Sequence, residues 1–481
     1  MHVLVLGGGF AGSLAAAAVA PYADRITVIE RDTLPEQPGP RRGVPQARHC
    51  HSFYSGGADA AEALVPGITE AWIAAGARKI RKSGDVLLLA GSGWAQPAAG
   101  RHYAIVCSRD LLDWVLQQHV SRLPGIAFRT GTQALGLTGN RRRVNGAEIR
   151  DHTTGTTETL TADLVVDATG RASGAGQWLT QLNMPAPRRQ AVQWRAGYAS
   201  RYFRPARAFD GQFPVVSIQP DFRRSGPLHA SVLIQTEDRH WHVTLLGAFG
   251  AEPDNSYRDH QRFLEHARQL RDPLMADLIA DAEPVGAVHL TRRMTWRRHS
   301  AGALREWPDG FVMLGDAAAS FNPVLAQGLS VAAHSAAALQ DALRSGCQPG
   351  SGRRLQRAID RTTAKAWLVD RVLSLLYLNP APPLAVRFLR HCAIRAFDSS
   401  HDWPQLREAL ADVLTCTSPL TRLMDPRAVL PALLGPRTAP LQQPPWKDIP
   451  APRKPAVGDP KELKAPRPGH GEREDGATGR P

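Results

Sequence analysis

The chain has 481 residues, 43% hydrophobic and 21% charged, with a formal net charge of +14. That length supports two or three compact units with a substantial core, and the balance is that of a soluble, globular protein. No stretch reaches the roughly 18 unbroken apolar residues of a membrane span, and the arginines are spread along the chain without the aromatic interleaving of a nucleic-acid binder, which excludes both classes.

The first twenty residues, MHVLVLGGGFAGSLAAAAVA, lack a basic start and are broken by glycines, so they do not read as a signal peptide. Cys50, Cys107, Cys347, Cys392 and Cys416 are scattered with no CxxC, which predicts neither a disulfide framework nor a metal site and suits a reducing cytoplasm. Residues 3–30 read as strand, glycine turn, helix and strand. Within them lies Gly7-x-Gly9-x-x-Gly12. The first glycine permits the turn, the second lets a pyrophosphate approach the backbone, and the third lets helix and strand pack closely. The phosphates then meet the helix N-terminus, where free N–H groups favour negative charge. Glu30 ends the next strand, beside Arg31, at the spacing of a carboxylate that accepts from ribose hydroxyls. This pattern predicts a dinucleotide with a free 2′-hydroxyl, FAD or NAD, and spacing alone does not choose between them.

A proline-rich basic loop, LPEQPGPRRGVPQARHCHSF, follows at 34–53. His49 and His51 flank Cys50 there at strand spacing, facing the same way. They line a substrate pocket or simply bond the loop; with no further ligand nearby, a metal is not expected. Helices are predicted near 58–64, 68–75 and 110–123, strands at 85–92, 103–108 and 162–170, and short strands between. From 185 to 290 the chain turns to strands rich in aromatic and β-branched residues, with two helices among them. Tyr198, Tyr202, Phe203, Phe213 and Trp241 there wall a substrate or serve as core. GDAAASFNPVLAQGLS at 315–330 returns to strand, tight turn and helix, and 352–435 is mostly helical. The tail is Pro-rich and polar, with few apolar anchors.

Three motifs together, GGGFAG, ADLVVDATGRAS (162–173) and the 315–330 stretch, resemble the flavoprotein monooxygenases of the para-hydroxybenzoate hydroxylase fold. GVPQARHCHSF (43–53), CSRDLLDWVL (107–116) and HWHVTLLGAFG (240–250) are similar to the actinobacterial branch that includes polyether epoxidases. The resemblance implies FAD, bound by Gly7, Gly9, Gly12, Glu30, Arg31, Arg42, Gln46, Arg109, Gly170, Gly315 and Asp316, with Pro323 beside the ring and the Gln327-Gly328-Leu329 backbone at its pyrimidine edge. His49, His51, Tyr202 and Trp241 are the candidate substrate-pocket residues. The implied architecture is α/β: a Rossmann-like FAD-binding domain (1–184 and 291–350), an inserted mixed β-sheet substrate domain (185–290), a C-terminal helical region (351–435) and a disordered tail (436–481).

The implied activity is oxygen transfer from a flavin C4a-hydroperoxide to an apolar, electron-rich substrate, hydroxylating or epoxidising it. O2 is the co-substrate, and NAD(P)H or a separate flavin reductase the electron donor. Such chemistry asks of the protein a dry pocket and positioning rather than a triad or metal. Two positions depart from the family pattern. Ala326 stands where the family has glycine, adding a methyl where positive φ is disfavoured, and Thr169-Gly170 replaces an Asp-Gly linked to the nicotinamide cofactor. The alternatives are a flavin-dependent reductase or oxidase of a lipid-like alkene, and a flavin-binding subunit that has lost turnover. Flavin halogenases share the fold, but their WxWxIP segment does not occur here.

Overall fold

The computed structural model describes residues 1–91, 93–206, 213–223, 226–346, 351–377 and 382–446. Val3, Leu4, Val5 and Leu6 form an uninterrupted apolar run, as a strand covered on both faces requires. It is the central strand, His2–Leu6, of a five-stranded parallel sheet ordered Phe311–Met313, Leu164–Asp167, His2–Leu6, Arg25–Ile29, Ile126–Arg129. The helix Phe10–Val19 packs on it through buried alanines, small enough for close approach. The helices Arg109–Ser121 and Gly328–Arg344 pack beside that helix, so the ends of widely separated segments converge at the glycine turn.

A second, seven-stranded mixed sheet runs Glu283–His299, Arg189–Arg204, Trp241–Ala248, Leu228–Gln235, Val215–Ile218, Val86–Ala90, Gly93–Trp94. It is larger than the substrate sheet expected over 185–290. It recruits Val86–Ala90, parallel to Val215–Ile218, from the first segment, and its edge strand runs on to His299. That strand pairs with Arg189–Arg204 over nearly its whole length, with two register shifts. Those bulges and the doublets Arg292-Arg293 and Arg297-Arg298 break the period-2 alternation, so the sequence hides one of the longest strands.

The C-terminal region forms the helices Ser351–Tyr377, Leu384–Ser399, Pro404–Leu414 and Pro426–Leu434. The tail expected to be disordered from 436 is instead placed as far as Trp446. Leu441 bridges Trp94, and the Trp446 ring meets Phe213 edge-on with centroids 5.0 Å apart. Two aromatic anchors suffice to hold this short polar stretch; the rest of the expected tail, 447–481, lies outside the described residues. No helix among the described residues is long and apolar enough to cross a membrane.

Candidate functional site

The glycine turn divides its labour as the spacing predicts. Gly7 has φ +99°, and a Cβ on it would lie 2.5 Å from the Ala168 carbonyl oxygen. A Cβ on Gly12 would lie 1.8 Å from the Gly7 oxygen. Gly12 is therefore demanded by the close approach of helix and turn, and Gly7 by its positive φ and by the chain that follows the strand Leu164–Asp167. Gly9 is different: a Cβ there would meet only Arg41, at 3.9 Å, so its backbone is open to the adjoining cavity. No side chain caps the helix that starts there, which leaves its first N–H groups to an anion. Gln117 Nε2 donates to the Gly8 carbonyl at 2.6 Å and pins the turn from behind.

Glu30 is buried beside this turn. Its carboxylate accepts from the Gly8 N–H at 2.8 Å and the Asp32 N–H at 2.9 Å. Arg41 lies 3.5 Å from Glu30 and 3.2 Å from Asp113, and Arg109 Nε lies 2.6 Å from Asp113. Glu30, Arg41, Asp113 and Arg109 thus form a buried chain of alternating charge with no net charge. Arg109 also stands over the Phe10 ring, 5.5 Å from its centroid. Arg31, Arg42 and Gln46 are exposed residues on the cavity rim. Arg41, adjacent to the predicted Arg42, is the buried one, and the basic doublet alone does not say which of the two turns inward.

In the middle of the site Asp167 accepts from the Thr169 N–H (3.0 Å), the Thr169 hydroxyl (2.6 Å) and the Ser173 hydroxyl (2.5 Å), while Gly170 leaves open space with φ +76°. Gly315 has φ +62°, and a Cβ there would come within 2.6 Å of Ala11 in the first helix. Asp316 is half-buried on the cavity wall, with no hydrogen-bond donor among the described residues. Burial pushes its carboxyl up, against the pull of Arg171, Arg109 and Arg297.

At the far end Pro323, Ala326, Gly328 and Leu329 line the cavity. Nothing lies within 4 Å of a Cβ on Gly328, and no side chain caps the helix it begins. The Gln327 side chain turns away: fully buried, its Nε2 donates to the Leu414 carbonyl at 3.2 Å, so only its backbone serves this end. Ala326 does adopt the left-handed conformation, φ +51°, ψ 28°. That conformation costs an alanine about 1–2 kcal/mol, so Ala326→Gly is expected to stabilise the protein by roughly 1 kcal/mol, measurable as a higher urea midpoint.

The cavity, of about 1040 Å³, continues from Gly9 and Glu30 past Pro323 and under the seven-stranded sheet. His49 and His51 line it. His49 bonds Ser200 through Nδ1 and Thr291 through Nε2, both at 2.7 Å. His51 Nδ1 donates to the His49 carbonyl at 2.8 Å, leaving its Nε2 as an acceptor. Tyr202 and Trp241 do not line the cavity, correcting their assignment to the pocket. Tyr202 stacks on His242 at 4.1 Å and Trp241 packs on Phe213 at 4.7 Å, both in the body of the sheet domain. Strand alternation puts residues on one of two faces, and aromatic content does not reveal which face meets the cavity.

Burial holds His49 down to about 4, and His51 and His242 to about 3, from an ordinary value of 6.5. The fold therefore holds them neutral, while the unfolded chain takes up their protons. Their stabilising contribution is complete above pH 6.5 and is lost as pH falls through 6.5 toward those values. Between pH 6.5 and 5 the buried Asp370, pushed up to about 6, acts in the opposite direction, so the histidines' share is read from the variant: the melting temperature of His51→Gln is expected to fall less with pH than that of the wild type.

Burial pushes the Cys50 thiol up to about 12, and it donates to the His242 carbonyl at 3.1 Å. One group among the described residues, His102, Glu408 and Asp412, has the reach of a metal site, with ligand atoms within 4.8 Å. Arg101 and Arg422 already pair with its carboxylates, and Ser55 bonds the other His102 nitrogen at 3.0 Å. The cluster is an ion-pair clasp joining the helix Pro404–Leu414 to the chain at 101–102.

Two uncapped helix N-termini, open glycine backbone, the buried Glu30 carboxylate and an undonated Asp316 along one cavity fit an extended dinucleotide, and together with the parallel sheet they define a flavoprotein of the FAD-binding α/β class. The family model described as "FAD binding domain" matches residues 1–371, and the chain belongs to that family. It is 31% identical over 385 residues to Protein Rv3254 of Mycobacterium tuberculosis (strain ATCC 25618 / H37Rv), covering 77% of this chain and 79% of the relative. The flavin-dependent brominase Bmp2 superposes with a TM-score of 0.64 at 16% identity, over 90% of this chain and 98% of the brominase. The p-nitrophenol 4-monooxygenase PnpA from Pseudomonas putida DLL-E4 does so with 0.61 at 17%, over 86% and 98%. These structural likenesses establish a shared fold.

Proposed function

We propose that the protein is an FAD-dependent monooxygenase that hydroxylates or epoxidises an apolar, electron-rich small molecule. The observation that carries this reading is the continuity of the cavity: the end lined by Pro323 and Gly328 opens onto a chamber walled by Val106, Val232, Leu246 and Met294. Gly9 and the first turn after it would hold the pyrophosphate, Glu30 a ribose, Asp316 the ribitol, and the Gly328–Leu329 backbone the pyrimidine edge. When bound and reduced, the flavin supplies two electrons for the activation of O2: one oxygen atom enters the substrate, the other leaves as water, and NAD(P)H or a reductase restores the electrons.

The protein's share is binding and exclusion of water. An apolar chamber with neutral His49 and His51 offers no strong base and little to protonate a reactive oxygen prematurely. The His51 Nε2 acceptor would orient a substrate hydroxyl. The resemblance to the polyether-epoxidase branch supports an alkene as the acceptor, and the structural likeness to a phenol monooxygenase supports an aromatic ring. Labelled O2 supplied to the FAD-loaded enzyme with a reductant and a panel of alkenes and phenols tests the reading. One labelled atom per product is expected; oxidised or reduced product without label would mean a reductase or oxidase, and no turnover of any panel member would favour a binding subunit.

A further inference from the structure

The cavity does not end at the reacting position. The helix Pro404–Leu414 forms its far wall through Arg407, Leu410, Ala411 and Leu414, which at spacings of three, four and seven lie on one helix face. Leu414 marks the flavin end, because its carbonyl holds the Gln327 side chain. Arg407 stands seven residues earlier, about 10 Å along the axis at 1.5 Å per residue. The helix is therefore a ruler, with the cofactor's ring end at one mark and a guanidinium at the other.

Charge at the second mark is unbalanced. Outside the cofactor stretch, where Glu30 and Asp316 lie, no carboxylate lines the cavity among the described residues, while Arg407 and Lys82 both do. Arg407 Nη1 donates to the Ser400 and His401 carbonyls at 3.3 Å and its Nε is enclosed by protein, which leaves its Nη2 without a partner among the described residues. Lys82 rests on the Tyr54 ring at 4.5 Å and pairs with no carboxylate among the described residues. Their two segments meet: a Cβ on Gly100 would lie 3.1 Å from Ser83 and 3.1 Å from Glu408, the chain neighbours of Lys82 and Arg407, which both line the cavity. The nearby acids are committed elsewhere, Glu408 and Asp412 to Arg101 and His102. Two cations lining the cavity, with no cavity-lining acid outside the cofactor stretch among the described residues to neutralise them, are suited to an anion.

We propose that Arg407 and Lys82 bind the carboxylate of an elongated, otherwise apolar substrate whose reacting group lies about 10 Å away, at the ring end. This deepens the monooxygenase reading and rests on it for the identity of the reacting end. The specificity follows from length as well as charge: a shorter acid cannot fill both marks at once.

The test uses the full-length, FAD-loaded protein and three probes sharing a terminal alkene and an eleven-carbon chain: 10-undecenoate, 10-undecen-1-ol and 10-undecenylamine. Perturbation of the flavin absorption spectrum reports binding. The acid is expected to bind at least about tenfold more tightly than the alcohol, and the amine more weakly than either. Arg407→Gln and Lys82→Gln are each expected to weaken binding of the acid about tenfold more than that of the alcohol, a selective loss that a merely structural effect would not produce. Equal binding of acid and alcohol by the wild type overturns the proposal, as does an acid preference that survives in the double variant. Should a variant fail to fold, the wild-type ratio of acid to alcohol decides. Oxygenation of the probes is scored separately. Selective binding of the acid without oxygen transfer keeps the anion site and removes the monooxygenase reading; oxygen transfer without acid preference does the reverse.

Discussion

Asp113→Asn is expected to destabilise the protein by about 3–5 kcal/mol, the cost of removing one partner from a buried ion network. Asp113 is the carboxylate shared by two buried guanidinium groups, Arg41 at 3.2 Å and Arg109 at 2.6 Å. The amide keeps the shape and removes the charge. Arg41 then retains Glu30 at 3.5 Å, and Arg109 is left without a carboxylate among the described residues. Since Glu30 also anchors the Gly8 N–H, FAD affinity is expected to fall with stability. Denaturant unfolding of the apoprotein and an FAD titration check both. The control is Arg31→Gln: Arg31 is exposed and lies 3.8 Å from Asp32, so its loss should cost no more than about 1 kcal/mol. A cost for Asp113→Asn as small as the control's would show that the buried chain is dispensable.

Gly12→Ala and Gly9→Ala are expected to separate folding from cofactor binding. A Cβ on Gly12 falls 1.8 Å from the Gly7 oxygen and 2.9 Å from its carbonyl carbon, backbone atoms that no rotamer change can move. The helix Phe10–Val19 must shift off the sheet, at the roughly 1–3 kcal/mol typical of overpacking or more, and the phosphate-facing turn moves with it. FAD affinity should drop by at least about a hundredfold, or about 2.7 kcal/mol. Gly9→Ala meets no atom closer than 3.9 Å, so the apoprotein should melt as the wild type does while its methyl blocks the backbone face that the pyrophosphate approaches. Calorimetry of the two apoproteins, followed by FAD titration, tests the contrast. Equal FAD affinity in Gly9→Ala and the wild type would place the pyrophosphate elsewhere.

The parts of the site legible in the sequence are those in which one short stretch does the whole job. Gly7, Gly9, Gly12, Gly315 and Asp316 sit in turns whose backbone needs are local, so residue type and spacing reveal them. Glu30 is legible because the length of one helix and its connection fixes its distance from the turn. Arg41 is not, since only the facing helix Arg109–Ser121, which brings Asp113, decides which arginine of the doublet is buried. Tyr202 and Trp241 fail for a related reason: their strands pair as expected, but the face that meets the cavity depends on where the second sheet lies against the first. The arginine-rich strand Glu283–His299 carries too weak an alternation to read, and its partner Arg189–Arg204 imposes it.

By itself, then, the sequence determined the dinucleotide-binding strand–turn–helix at residues 3–30 and the small-residue turn at 315–316, because each depends on chain geometry within a few residues, while FAD and the glycine expected in place of Ala326 rest on the family resemblance. The tertiary structure alone decided the buried Glu30–Arg41–Asp113–Arg109 chain, the cavity-facing histidines, and the cavity that Arg407 and Lys82 both line. These join residues tens to hundreds of positions apart, and their burial and charge balance exist only once sheet and helices have closed over a common space.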